Sequence, residues 1–193
     1  MTTHLTQKEI MKRDLIFLTG FMASGKSTIG PILANTIGWD FLDLDKVIEE
    51  KTNKKIVEIF KEYGEEYFRK LESETLKELT KLSKYVISLG GGTIENEDNL
   101  NQMKKSGILV YLETSPEGAY RRLRFKRDRP ALLFDDNEPT KEEFLKRINT
   151  ILNRRLKYYN QADLKINTDN KPVGITVDIL VKILRKDFHI EEN

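Results

Sequence analysis

Leu15-Ile16-Phe17-Leu18-Thr19 runs straight into Gly20-Phe21-Met22-Ala23-Ser24-Gly25-Lys26-Ser27-Thr28, and this stretch decides the fold. A short run of strand-forming residues is followed by G-x-x-x-x-G-K-[ST], the pattern of a phosphate-binding loop between a strand and a helix. The order suits the chemistry. Glycines let the backbone curl until successive N–H groups point inward at phosphate oxygens. A helix opening near Lys26 adds its positive end. Lys26 brings a flexible point charge for the β- and γ-phosphates, and the Ser27 hydroxyl can ligand Mg²⁺. Thr28 offers a further donor on the α-phosphate side. Gly20, Ala23, Ser24, Gly25, Lys26, Ser27 and Thr28 are therefore the candidate nucleotide-binding residues.

Working outward, short runs rich in β-formers recur at residues 41–43, 85–89, 108–112 and 164–167. Between them lie longer stretches with apolar residues three or four apart, such as Ile56, Ile59, Phe60, Tyr63 and then Leu71, Thr75, Leu76, Leu79, Leu82. Strands alternating with helices predict βαβ crossovers and a five-stranded parallel sheet covered on both faces, an α/β fold. Two segments break the rhythm. Residues 45–81 are helical in pattern but long for one crossover. Residues 127–140 mix charges with Pro130, Asp135, Asp136 and Pro139, and read as a mobile loop that closes a site. The 193 residues suit one domain.

Composition excludes several classes. There is no cysteine, so disulfides, thiolate nucleophiles and cysteine-held zinc are out. The 33 basic and 31 acidic residues leave a net charge of +2, which does not suggest a nucleic-acid or membrane binder. The longest apolar run, residues 108–112, falls far short of the ~18 residues of a membrane span. The first fourteen residues lack the apolar core of a secretory signal. A cytoplasmic protein is expected.

A metal-bound nucleotide needs a carboxylate at the end of a neighbouring strand. Phe41-Leu42-Asp43-Leu44-Asp45 offers two, and in an extended chain they point to the same side. One can hold Mg²⁺ through water; the other can face an acceptor hydroxyl as base or orienting group. The alternative makes Asp45 an N-cap for a helix starting at Lys46.

Further motifs follow in order: Ile59-Phe60, Gly64-Glu65, Phe68-Arg69, Glu72, Leu89-Gly90-Gly91-Gly92-Thr93, Arg121-Arg122, Arg129-Pro130, and Arg154 four residues before Tyr158. With the phosphate loop and the acid pair they resemble shikimate kinase, in the nucleoside-monophosphate-kinase-like group, from about residue 15 to residue 184. The resemblance implies a three-layer P-loop kinase fold. It also implies a helical substrate-binding segment at about 44–72 and a mobile lid at about 123–140, all within one kinase domain; residues 1–12 have no counterpart in the family and are expected to form a loose extension. It implies ATP- and Mg²⁺-dependent transfer to a hydroxyl of shikimate, in aromatic amino-acid biosynthesis, by a monomer. By it, Asp43 and Ser27 serve the metal, and Asp45, Lys26 and Arg129 are catalytic. Phe60, Phe68, Arg69, Gly90, Gly91, Gly92 and Arg154 join Asp45 around shikimate. Arg122, Lys171 and Pro172 lie against adenine, with Arg129 on the phosphates. Glu72 orients Arg69 or Lys70.

The residue types fit on their own terms. A guanidinium fork matches a carboxylate in a way Lys cannot. Three glycines after a strand leave no side chains to obstruct a ring. Phe60 and Phe68 equally read as core, and Arg155 is the alternative to Arg154. The chain departs from the family at Leu156-Lys157, where the pattern often has Pro-Leu, and at Ala131, which separates Arg129-Pro130 from Leu132-Leu133. A same-fold kinase for another polyol acid such as gluconate is the alternative function.

Overall fold

The computed structural model describes residues 14–124 and 139–190. Its first strand, β1 (Leu15–Thr19), is buried along its length, and its side chains divide between two cores. Ile16 and Leu18 enter one, Leu15 and Phe17 the other, because side chains alternate along a strand. A strand apolar on both faces belongs in the middle of a sheet covered on both sides. It lies there: β2 (Asp40–Asp43), β3 (Tyr85–Ser88), β4 (Ile108–Glu113) and β5 (Leu164–Asn167) complete a five-stranded parallel sheet in the order β2-β3-β1-β4-β5. Each strand expected from the sequence is present, its ends moved by one residue at most.

The described helices are α1 (Lys26–Ile37), α2 (Leu44–Thr52), α3 (Ile56–Leu79), α4 (Glu97–Ser106), α5 (Pro116–Leu123), α6 (Lys141–Tyr159) and α7 (Val173–Phe188). Ile29, Leu33 and Ile37 of α1 and Val177, Leu180 and Leu184 of α7 cover one face of the sheet, with Trp39 in the same core. Ile48, Ile59, Leu76 and Leu100, from α2, α3 and α4, cover the other. Helices α5 and α6 join through Ala119, Leu123, Phe144, Ile148 and Ile151, and they enclose Phe21 at the start of the loop. The long stretch between β2 and β3 is thus two helices, and α3 is broken at Gly64, whose φ of 81° needs glycine. Phe68, Thr75, Leu76 and Leu79 point inward after that break, while Tyr63 and Leu82 are exposed.

This topology concentrates the strand ends. The chain leaves β1, passes over β3 to form β2, and places β4 on the opposite side, so the carboxyl end of β1 is a topological switch point. Leu18, Ser88 and Asp43 stand level across three strands, so the phosphate loop, the glycine run and the acid pair all emerge at one edge.

Candidate active site

A cavity of about 490 Å³ opens at that edge. Residues of the loop line it together with Asp43, Asp45, Gly90 and Gly91, and its far end is formed by Arg122, Thr168, Lys171 and Thr176. Helix α1 begins at Lys26, so its N-terminus faces the cavity. Ala23 is held at a φ of 58°, and a Cβ on Gly20 would lie 2.4 Å from the Leu112 carbonyl oxygen, so the loop's curl admits only glycine there. The Lys26 ammonium donates to the carbonyl oxygens of Gly20 at 2.8 Å and Phe21 at 3.1 Å, which puts the charge across the bowl. Ser24 Oγ is buried without a hydrogen-bond partner. A cradle that only glycine can form, an orphaned hydroxyl and a helix N-terminus together fit a polyphosphate.

At the other end Arg122 ties the loop to the sheet. Its Nη1 donates to the Ala23 carbonyl at 3.0 Å and its Nη2 to the Thr168 carbonyl at 2.8 Å. Asp169 stands 3.6 Å from Nη2 and accepts from Thr114 Oγ1 and the Ser115 amide. Burial opposes ionisation of Asp169, but those hydrogen bonds and the Arg122 charge outweigh it and hold its carboxyl below the usual range. Lys171 lines the cavity and donates to the Asn167 carbonyl. Pro172 sits at the N-cap of α7, between the lining residues Lys171 and Val173 but not itself in the lining.

The two aspartates share the cavity by a route the sequence reading did not foresee. The extended pairing fails, because strand β2 ends at Asp43 and helix α2 begins at Leu44. Asp43, not Asp45, is the N-cap: its Oδ1 accepts from the amides of Asp45 at 3.1 Å and Lys46 at 3.4 Å. Asp45 stands in the first turn of α2, with Oδ1 buried and without a partner. Burial above all, then the charges of Asp43 and Glu72, push its carboxyl up to about 6; Lys26 and Arg69 offset this only in part.

Opposite Asp45, the glycine run turns out of β3 with side chains pressed against its backbone. A Cβ on Gly90 would lie 2.8 Å from Asp45 Oδ1, and one on Gly91 3.2 Å from Arg155 Nη1. One on Gly92 would lie 2.7 Å from Arg69 Nη2. Glu72 Oε1 would lie 2.9 Å from the same Gly90 Cβ, so three consecutive residues gather two carboxylates and two guanidinium groups. Arg69 is braced by Glu72 at 2.9 Å and by Glu65 at 3.1 Å. Glu72 is 1% exposed, and its other oxygen takes the Thr93 hydroxyl. Arg69 also borders a second cavity of about 370 Å³ that begins at Gly92 and includes Glu95 and Arg154.

Of the paired arginines, Arg155 reaches the glycines. Its side chain is 5% exposed against 62% for Arg154. The inward stripe of α6 runs Phe144, Ile148, Ile151, Arg155, Tyr159, anchored where Tyr159 stacks on Tyr111 at 4.5 Å, and Arg154 falls off that stripe. Arg155, the alternative to Arg154 in the sequence, is therefore the arginine that faces the glycine run, while Arg154 borders the second cavity. Phe68, 3% exposed, is core, 4.7 Å from the partly buried Phe60, and neither ring is among the residues lining the main cavity. Arg129, with most of the lid read at 123–140 and the extension at 1–12, lies outside the described residues. Glu95 was missed; its signal was a carboxylate three residues after the last glycine.

Comparison with known proteins identifies the family and the fold. The model of the shikimate kinase family matches residues 22–185. A shikimate kinase of Chlorobium limicola is 49% identical over 172 residues, covering 89% of this chain and 86% of that one. The structure of shikimate kinase from Acinetobacter baumannii in complex with shikimate is similar at a TM-score of 0.81 and 33% identity, over 93% of this chain and 98% of the other. The shikimate kinase structure from Bacteroides thetaiotaomicron gives 0.80 and 36%, over 89% and 98%. The α/β class and the five-stranded parallel sheet read from the sequence are the fold found here and in these relatives. Among the described residues no helix is long and apolar enough to cross a membrane.

Proposed function

The chain belongs to the shikimate kinase family and is an enzyme that phosphorylates shikimate, and from that premise we propose that it uses ATP with Mg²⁺ and works from the edge where β1, β2 and β3 end. Gly20, Ala23, Ser24, Gly25, Lys26, Ser27 and Thr28 hold the phosphates; Arg122, Lys171 and Pro172 flank the base. Ser27 and Asp43 hold Mg²⁺, which when bound supplies positive charge to the phosphate oxygens. Lys26 neutralises charge that develops on the transferring group, and such groups are worth roughly 10²–10³-fold in rate. Arg129 adds its charge from the lid side.

At the acceptor, Asp45 takes the proton of the attacking hydroxyl through its unpartnered Oδ1. Arg69 and Arg155 grip the carboxylate, and the backbone of Gly90, Gly91 and Gly92 carries the ring between them, with Phe60 and Phe68 as apolar support behind. The observation that carries this reading is the spacing along the glycine run. Asp45 meets it at Gly90, while Arg155 and Arg69 meet it at Gly91 and Gly92. A base at one end and two forks at the other suit a small rigid molecule with hydroxyls at one end and a carboxylate at the other. Residues 44–72 form the acceptor-binding segment and 123–140 the lid of one kinase domain, which acts as a cytoplasmic monomer and makes shikimate 3-phosphate for aromatic amino-acid biosynthesis.

A coupled assay with ATP and Mg²⁺ tests this against a panel of shikimate, gluconate and nucleoside monophosphates. Turnover of shikimate alone is expected. Preference for gluconate would overturn the acceptor assignment and leave the phosphate loop intact.

A further inference from the structure

We infer that Glu95 is a positioning residue: it grips Arg155 by its inner edge and so presents the outer end of that guanidinium at Gly91. The inference rests on the reading of Arg155 as an anchor for the acceptor carboxylate. Arg155 Nε donates to Glu95 Oε1 at 2.7 Å, while Nη1 of the same group lies at the glycine run. A guanidinium has donors along two edges, so one carboxylate can hold the Nε side and leave the Nη end for another.

Three features make this clamp matter. First, Arg155 is nearly enclosed, and a buried cation needs a partner or its charge is strongly disfavoured. Glu95 meets that need without covering the working end. Second, Glu95 is part of the same rigid feature it serves. It closes the 3-10 turn Thr93–Glu95, and its amide donates to the Gly92 carbonyl at 2.9 Å. The clamp and the backbone that carries the ring therefore move as one piece, and the long arginine loses its rotamer freedom before the acceptor arrives. Third, the second oxygen of Glu95 is taken by Arg154 Nε at 2.7 Å. That pairing keeps the carboxylate from swinging toward the acceptor, where two like charges would repel. Burial works against ionisation of Glu95, yet Arg155 and Arg154 prevail and keep its carboxyl below the usual range, so it stays charged.

The test is equilibrium binding of two acceptors, shikimate and its methyl ester, to the parent protein and to Glu95→Ala, Glu95→Gln, Arg155→Lys and the Glu95→Ala/Arg155→Lys pair. ATP binding is measured beside them. Glu95→Ala should weaken shikimate by ~10–50-fold and Glu95→Gln by ~3–10-fold, the cost of a lost or neutralised charge-assisted contact. ATP affinity should change by less than about 2-fold. With the methyl ester, or in the Arg155→Lys background, removing Glu95 should cost little, because the contact it aims is already gone. A merely structural Glu95 would not distinguish the two acceptors. If Glu95→Ala or Glu95→Gln binds shikimate as well as the parent while Arg155→Lys does not, Glu95 has no positioning role and the reading of Arg155 stands. If Arg155→Lys binds shikimate like the parent, the reading of Arg155 fails and takes the inference with it.

Discussion

Replacing Asp45 with Asn should stabilise the protein while destroying its activity. In the folded chain the Asp45 carboxyl titrates at about 6 against 3.8 for a free side chain, chiefly through burial, then through Asp43 and Glu72. Between those values the folded state holds a proton that the unfolded state has released. Stability must therefore fall as pH rises from about 4 to about 6, and the full penalty persists above that. A shift of this size corresponds to at most about 3 kcal/mol at neutral pH. Asn removes the charge and keeps the shape, and its amide can donate to the neighbouring carboxylates. At pH 7.5 and without ligands, urea titrations should show the variant more stable by up to about 3 kcal/mol, and its melting temperature higher by about 6–12 °C. At pH 4.5 most of that difference should vanish, because Asp45 is then protonated in the folded parent. Turnover should drop by about 10²–10⁴-fold, the usual worth of a positioned acid or base. For the parent, kcat/KM should fall as pH drops through about 6 and the base is protonated. A variant no more stable than the parent at pH 7.5, or a gain independent of pH, would refute the idea that folding holds this carboxylate against its preference.

Four further outcomes are expected. Lys26→Ala should keep its fold and lose turnover by roughly 10²–10³-fold or more in steady-state assays, since its charge is asked to act on the transition state. Asp43→Asn should raise the Mg²⁺ concentration for half-maximal rate, whereas Asp45→Asn should leave it nearly unchanged; superimposable magnesium titrations would show that the two acids share one task. Arg69→Lys and Arg155→Lys should each raise the shikimate KM by on the order of 10–150-fold with little effect on ATP, while Arg154→Lys stays within about 3-fold of the parent. Gly92→Ala puts a methyl 2.7 Å from Arg69 Nη2, so shikimate binding should weaken by about 10-fold in calorimetry with the melting temperature little changed.

The fold was legible because its central strand is apolar on both faces. Only a sheet sandwiched by helices accepts Leu15 and Phe17 in one core and Ile16 and Leu18 in another. The phosphate motif fixed where that strand ends and the helix begins. Strand order was not legible, because nothing in the apolar runs says that β3 rather than β2 pairs with β1. The break at Gly64 was hidden for a related reason. The apolar spacing continues through it, and a single glycine inside a helical pattern does not announce a φ of 81°.

At the site, the local geometry is not uniform along the chain. Asp43 and Asp45 were read as neighbours on one face of an extended chain, yet the chain turns between them. They meet in the cavity because a capping carboxylate and a first-turn carboxylate both face the helix's positive end. Which of the two arginines faces inward follows from a spacing that the sequence does contain. Phe144, Ile148, Ile151 and Tyr159 are four, three and eight apart, and residue 155, four from each of the last two, continues that stripe; residue 154 leaves it. A charged residue on the apolar stripe of an amphipathic helix needs a partner inside, and here that partner is Glu95, supplied by the turn after the glycines. The same rule explains Glu72, the buried charge on the inward stripe of α3, whose partners are Arg69 one turn back and the Thr93 hydroxyl. Both forks are therefore fixed by acids attached to or touching the residues that follow Gly92. Substitutions in Thr93, Ile94 and Glu95 should reach the acceptor site, even though Ile94 lies in the core away from it.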